Sequence, residues 1–156
     1  MTKSNLIYCL DNIATFIESQ IDYLTYVDSI DNKTKDCFTF YASSTEPIIL
    51  GGEGMEWYVT DMSSHIIMLI EINENKKSTL NLAVKEKAFL TMEQLILAFP
   101  YLQNKSFNFT ENEDTYKMFY NITNVISNGE NILLSAEKCS LKLEFDITYF
   151  RRVFCI

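Results

Sequence analysis

The stretch His65–Ile72 (H-I-I-M-L-I-E-I) sets the terms for the rest of the chain. Strand side chains alternate between two faces, so Ile66, Met68, Ile70 and Ile72 share one side and Ile67, Leu69 and Glu71 the other. Apolar residues on both sides through Ile70 describe a central strand, covered by helix on at least one face. Such a strand needs neighbours. Glu56–Thr60 reads as an antiparallel partner joined to it across Asp61-Met62-Ser63-Ser64. Gly51-Gly52-Glu53-Gly54 reads as a loop or bulge between strands. A phosphate cradle is disfavoured there, because no Lys follows the glycines and Glu53 repels phosphate.

Further strands are legible from β-branched and aromatic content. Cys37–Tyr41 (C-F-T-F-Y) is one, followed by a loop over Ser43–Pro47 and by Ile48–Leu50. Leu80, Leu82 and Val84 alternate with Asn81 and Ala83 after a polar turn at Asn73–Lys77. Phe107–Thr110, Ile132–Ser135 and Leu141–Phe145, with Ile147, Tyr149 and Val153, complete the set. Tyr116–Ser127 reads either way. Thr110-x-x-Glu113 offers a helix cap, but the aromatic content and the Asn128-Gly129 hairpin signal favour strand.

Two helices are expected. Leu6, Leu10, Ile13, Ile17, Ile21 and Leu24 recur at three- and four-residue spacing, which predicts an amphipathic helix over residues 4–29 with Ser4 as N-cap. Thr91-x-x-Gln94, flanked by Leu90 and Leu95, matches a capping box and staple. That signal predicts a short helix, buried nearly all round, ending at Pro100. The fold class is therefore α+β: residues 1–156 as a single domain, a mainly antiparallel sheet with a long N-terminal amphipathic helix and a short buried central helix. A chain of 156 residues, 47% of them hydrophobic, buries roughly 70% of its unfolded surface and folds without metal or disulfide.

Cys9, Cys37, Cys139 and Cys155 lie far apart, with no C-x-x-C, and read as buried thiols rather than disulfides or a zinc site. Asp11 and Asn12 interrupt any signal-peptide core, and the longest apolar run falls far short of a membrane span. A cytoplasmic protein with no membrane partner is the expectation.

The net charge of −8 is unevenly distributed. Residues 1–75 hold twelve acids and three lysines, and Asp36 to Asn75 hold seven acids and no Lys or Arg. Such a field disfavours nucleic acid and speeds encounter with a basic partner. The residues expected to meet that partner are Glu53, Glu56, Tyr58, Asp61, Glu71 and Glu74, and secondarily Asp11, Glu18, Asp22 and Asp28. Trp57 alternates with Glu56 and Tyr58 and is expected to point inward. His65 is the only His, with Glu56 and Asp61 as carboxylates close in sequence. No nucleophile or metal-binding motif completes a centre around it, so no catalytic residue, metal ligand or cofactor is expected.

A single acidic domain of this size, without a catalytic constellation, resembles the bacterial toxin-immunity proteins, including those of contact-dependent growth inhibition systems. The resemblance is one of profile and carries no motif. It implies a non-enzymatic protein that binds a cognate toxin domain, often a basic nuclease, and blocks it. Two other readings stand beside it: a viral or other host-directed protein-binding modulator, suited to the Ile-, Asn-, Lys- and Tyr-rich composition, and a small hydrolase using His65.

Overall fold

Ser4 starts the first helix. Its hydroxyl accepts the Ile7 N–H at 3.2 Å, which satisfies one of the donors a helix start leaves open. The computed structural model describes residues 3–30, 35–50, 58–73, 82–127, 132–135 and 138–153. Helix α1 spans Asn5–Gln20 and buries Cys9, Leu10, Ile13, Ala14 and Ile17. It is shorter than residues 4–29. The chain turns at Ile21, and Ile21 and Leu24 reach the core from the turn beyond the helix. Thr25–Tyr26 then form the short strand β1.

Strand β2 (Cys37–Leu50) absorbs the expected loop at Ser43–Pro47 and bulges between Ala42 and Ser44. Beyond β1 its outer edge has no described neighbour, and an edge is where Pro47 is tolerated. Strand β3 (Tyr58–Asn73) likewise runs straight through the expected turn at Asp61–Ser64. Ser64 is buried in that strand, with its hydroxyl 2.9 Å from the Thr45 hydroxyl and 3.2 Å from the Tyr149 hydroxyl. Polar residues that signal a turn are here paired across strands instead.

Helix α2 (Leu82–Ala98) replaces the strand expected at Leu80–Val84. Val84, Ala88, Met92, Leu95 and Phe99 repeat at helical spacing and are buried. Thr91 and Gln94 are therefore mid-helix. The Thr91 hydroxyl donates to the Lys87 carbonyl at 2.7 Å and lies 2.6 Å from the Tyr23 hydroxyl, which also reaches Gln94 Oε1 at 3.3 Å. The two residues fasten α2 to the segment after α1 rather than starting a helix. Phe99–Leu102 form a single 3₁₀ turn with Pro100 in its first positions.

Strands β4 (Lys105–Glu111) and β5 (Asp114–Ile126) form a hairpin, and Tyr116–Ile126 is strand, as favoured. Asn112 and Glu113, both at positive φ (50° and 71°), form its two-residue turn. Strand β6 (Ile132–Ser135) continues the line of β5 along β7 (Lys138–Val153). The seven-stranded sheet runs β1-β2-β3-β7-β5-β4, with β6 also on β7, and is antiparallel except at β1–β2. One core joins the buried helix residues to Ile66, Met68, Ile70 and Ile72 of β3 and to Leu141, Leu143, Phe145 and Ile147 of β7. Both helices therefore lie on one face, and each large apolar side chain buried there contributes about 1.5–3 kcal/mol.

On the other face Cys37, Thr39 and Glu71 are buried near the β1 end, where Thr39 Oγ1 donates to the Asp28 carbonyl at 3.3 Å. Further along, that face is more open. Cys9, Cys37 and Cys139 are buried thiols, and burial pushes Cys9 up to about 12. Among the described residues no helix is long and apolar enough to cross a membrane. Cys155, the glycine loop, the Glu74–Lys77 part of the polar turn, Leu80 and Asn128-Gly129 lie outside the described residues.

Candidate partner-binding surface

Helix α2 has too many large apolar residues for one face. Its buried stripe leaves Phe89, Leu90, Ile96 and Leu97 on the opposite side, where helical periodicity also puts Glu86 and Glu93. Leu97 is 71% exposed, Phe89 55%, and Tyr101 in the following turn 67%. These are large fractions for side chains whose burial would otherwise stabilise the fold. Ile96 also lines a groove of about 430 Å³, with Phe99, Pro100, Ile122 and Val125 among its other walls. Val125 and Ile126, exposed at the end of β5, extend the apolar area. The helix is neither short nor buried all round, as the sequence suggested. Glu86 and Glu93 run between Phe89 and Ile96 on one flank and Leu90 and Leu97 on the other, so the exposed side of α2 is apolar with an acidic seam.

The expected acidic residues are distributed more widely than one surface. Glu18, Asp22 and Asp28 are exposed on or just after α1, and Asp11 is partly exposed and ion-paired to Lys3 at 3.4 Å. Because both helices cover the same face of the sheet, Asp11, Glu18 and Asp22 share one side of the molecule with the α2 stripe, whereas Asp28 follows β1 at the sheet edge. Glu71 does not belong to any contact surface. It is 6% exposed, and Lys138 Nζ lies 2.7 Å from its Oε1, an ion pair without hydrogen-bond geometry. Asp61 is half-buried on the sheet face away from the helices, and Tyr58 opens β3. Glu53, Glu56, Trp57 and Glu74 lie outside the described residues.

His65 has partners that sequence proximity did not suggest. Neither Glu56 nor Asp61 is among them. Its register opposite Asp146 on β7 brings Nδ1 to 2.7 Å from Asp146 Oδ1, and Nε2 stands 3.4 Å from Glu144 Oε1. Asn124 donates to the other Asp146 oxygen at 2.9 Å. The hydrogen bond to Asp146, then that to Glu144, raises the imidazole above its ordinary value, and Asn124 and His65 hold Asp146 below the usual carboxylate range. Both ring nitrogens face carboxylates, so neither is directed at a nucleophile. The chemistry is that of a cross-strand clamp among β3, β7 and β5. Among the described residues no group of three His, Cys, Asp or Glu side chains is placed to hold a metal ion.

A second polar cluster ties α1 to the far side of the sheet. Arg151 donates to Asn5 Oδ1 at 2.6 Å and to Glu111 Oε1 at 3.1 Å, and the Tyr8 hydroxyl donates to Glu111 Oε2 at 2.9 Å. The guanidinium lies 4.9 Å from the Tyr116 ring centre and 5.3 Å from that of Phe109. Every group in it has a partner within the chain, which is the signature of structure. Comparison with known proteins finds no match, either among protein-family models or among curated proteins.

Proposed function

We propose that the chain is a non-enzymatic binding protein whose helical side receives another protein. The observation that carries this reading is the exposed apolar stripe Phe89, Leu90, Ile96 and Leu97 on a helix that already has a complete buried stripe. Aromatic and aliphatic anchors of this kind supply most of the affinity in protein interfaces. Exposed Glu18 and Asp22 on the same side favour a basic partner and speed its arrival. Of the proteins with that chemistry, we adopt the toxin-immunity reading, with a basic toxin domain as the partner. It is supported by the acidic, single-core character of the chain and by His65, whose two ring nitrogens both face carboxylates rather than a nucleophile.

The test is binding to a basic toxin domain encoded beside this gene, followed across a salt titration. Binding that weakens steeply with salt and is lost in Leu97→Asp supports the reading. Binding indifferent to salt removes the charge argument. Binding intact in Leu97→Asp and Phe89→Asp together removes the α2 surface.

A further inference from the structure

We infer that the open face of the sheet carries a second site, which binds a nucleoside monophosphate or a like heteroaromatic phosphate. This site shares no residue with the α2 surface and does not depend on it. Lys117 and Arg152 are direct cross-strand partners on β5 and β7. Alternation puts both on the face away from the helices, since Met118 and Tyr120, and Ile147 and Tyr149, are buried on the helical face. Like charges placed opposite one another weaken a strand pair. Among the described residues no carboxylate forms an ion pair with either cation. In a chain with 21 acids and 13 bases, two adjacent cations with no ion-pair partner among the described residues are the reverse of what charge balance alone would place there.

The next cross-strand pair on the same face is aromatic. Phe119 and Phe150 stack with ring centres 4.9 Å apart and planes 15° from parallel. Lys117 Nζ stands 5.3 Å from the Phe119 ring centre, and the Arg152 guanidinium 5.1 Å from that of Phe150. The two rings wall a depression of about 250 Å³ whose other lining includes Asp61, Lys105, Asn121 and Thr148. The cation pair therefore lies on one side of the stacked rings, and the depression with its polar side chains lies on the other. A phosphate meets the Lys117–Arg152 pair, whose N–H groups suit its oxygens. A ring lies against the phenylalanines, and an exocyclic amino group donates to Asp61, as base amino groups donate to carboxylates. The ligand is an anion at one end and a donor-bearing flat ring at the other.

An NMR titration of the whole chain tests this, with cytidine and adenosine monophosphates, cytidine, inorganic phosphate and a six-nucleotide single strand as probes. A monophosphate is expected to give saturable shifts at residues 117–121 and 148–152, with cytidine and phosphate each at least tenfold weaker. Lys117→Glu turns a like-charge pair into an opposite one. It is expected to raise the melting temperature while weakening the monophosphate at least tenfold. Phe119→Leu, which leaves all charges in place, is expected to weaken it several-fold. The proposal is overturned by saturable shifts from neither monophosphate, by phosphate alone binding as tightly, or by unchanged binding in Lys117→Glu. A strand held more than tenfold tighter than the monophosphates would overturn it too, by making the face a nucleic-acid surface.

Discussion

Helices α1 and α2 are nearly equal in length, 16 and 17 residues, and cover the same face of one sheet, yet they dispose of their apolar side chains differently. In α1 the large apolar residues are buried or packed against the core except Ile7, and carboxylates and hydroxyls occupy the outer side. In α2 a full buried stripe is matched by an exposed one. The first helix is explained by the fold it belongs to. The second is not, because Phe89 and Leu97 contribute little to the core while remaining in water. That surplus is the observation on which the proposed contact surface rests.

The sharpest way to break the comparison is to truncate one residue on each helix. Ile13→Ala, at a fully buried site, is expected to cost about 2–5 kcal/mol in urea unfolding, whereas Leu97→Ala should stay within about 0.5 kcal/mol. Equal costs would show that the α2 stripe is core after all. A smaller effect separates the ways the two helices are fastened. Ser4→Ala removes the α1 cap at about 1 kcal/mol, and Thr91→Val removes the link from α2 to Tyr23 at a similar cost of about 1 kcal/mol, both read as shifts in melting temperature.

The clamp on the opposite face gives a smaller, pH-dependent term. His65 is raised on folding, so its contribution is fully present below the unfolded value of about 6.5 and is lost as pH rises through the higher folded value. Asp146 is lowered, so its contribution is present above about 3.9 and is lost as pH falls through the folded value. The wild type should exceed Asp146→Asn by about 0.2–1 kcal/mol between those limits, as suits a partly exposed pair, and by less at pH 9. A flat difference across pH would mean that the clamp is packing alone. Last, Cys9 held protonated up to about 12 should resist alkylation at neutral pH until the protein unfolds, and prompt modification in the native state would show that the α1 side of the core opens.

Legibility in the sequence followed locality. Ser4, the α1 stripe and the alternation of Ile66–Ile72 each report structure within a few residues; the cap and the alternation appear where the sequence places them, and the stripe is helical through Ile17 before Ile21 and Leu24 continue it from the turn. Asp61–Ser64 misled because Asp and Ser favour turns only when nothing else satisfies them, and here Thr45 and Tyr149 bond Ser64 across the sheet. Leu82 and Val84 resembled a strand because a short alternation also fits the first turn of a helix, and the longer spacing to Ala88, Met92 and Leu95 decides it. The α2 surface was visible only as excess: seven large apolar residues from Phe89 to Phe99 are more than one stripe holds. The partners of His65 were out of reach, since Glu144 and Asp146 lie 79 and 81 residues away and only strand register brings them together.

Strand β7 has a consequence for how the molecule comes to exist. It pairs with β3 along one edge and with β5 and β6 along the other, so among the described strands it joins the earlier ones to the later ones. It is also the last of these strands to leave the ribosome. Until it arrives, β3 presents a bare apolar edge containing Ile66, Met68 and Ile70, and the β4–β5 hairpin stands apart. The sheet is sealed only once this central strand has emerged, which makes folding dependent on distant contacts and slow. For that time the nascent chain exposes an unpaired strand edge that invites association.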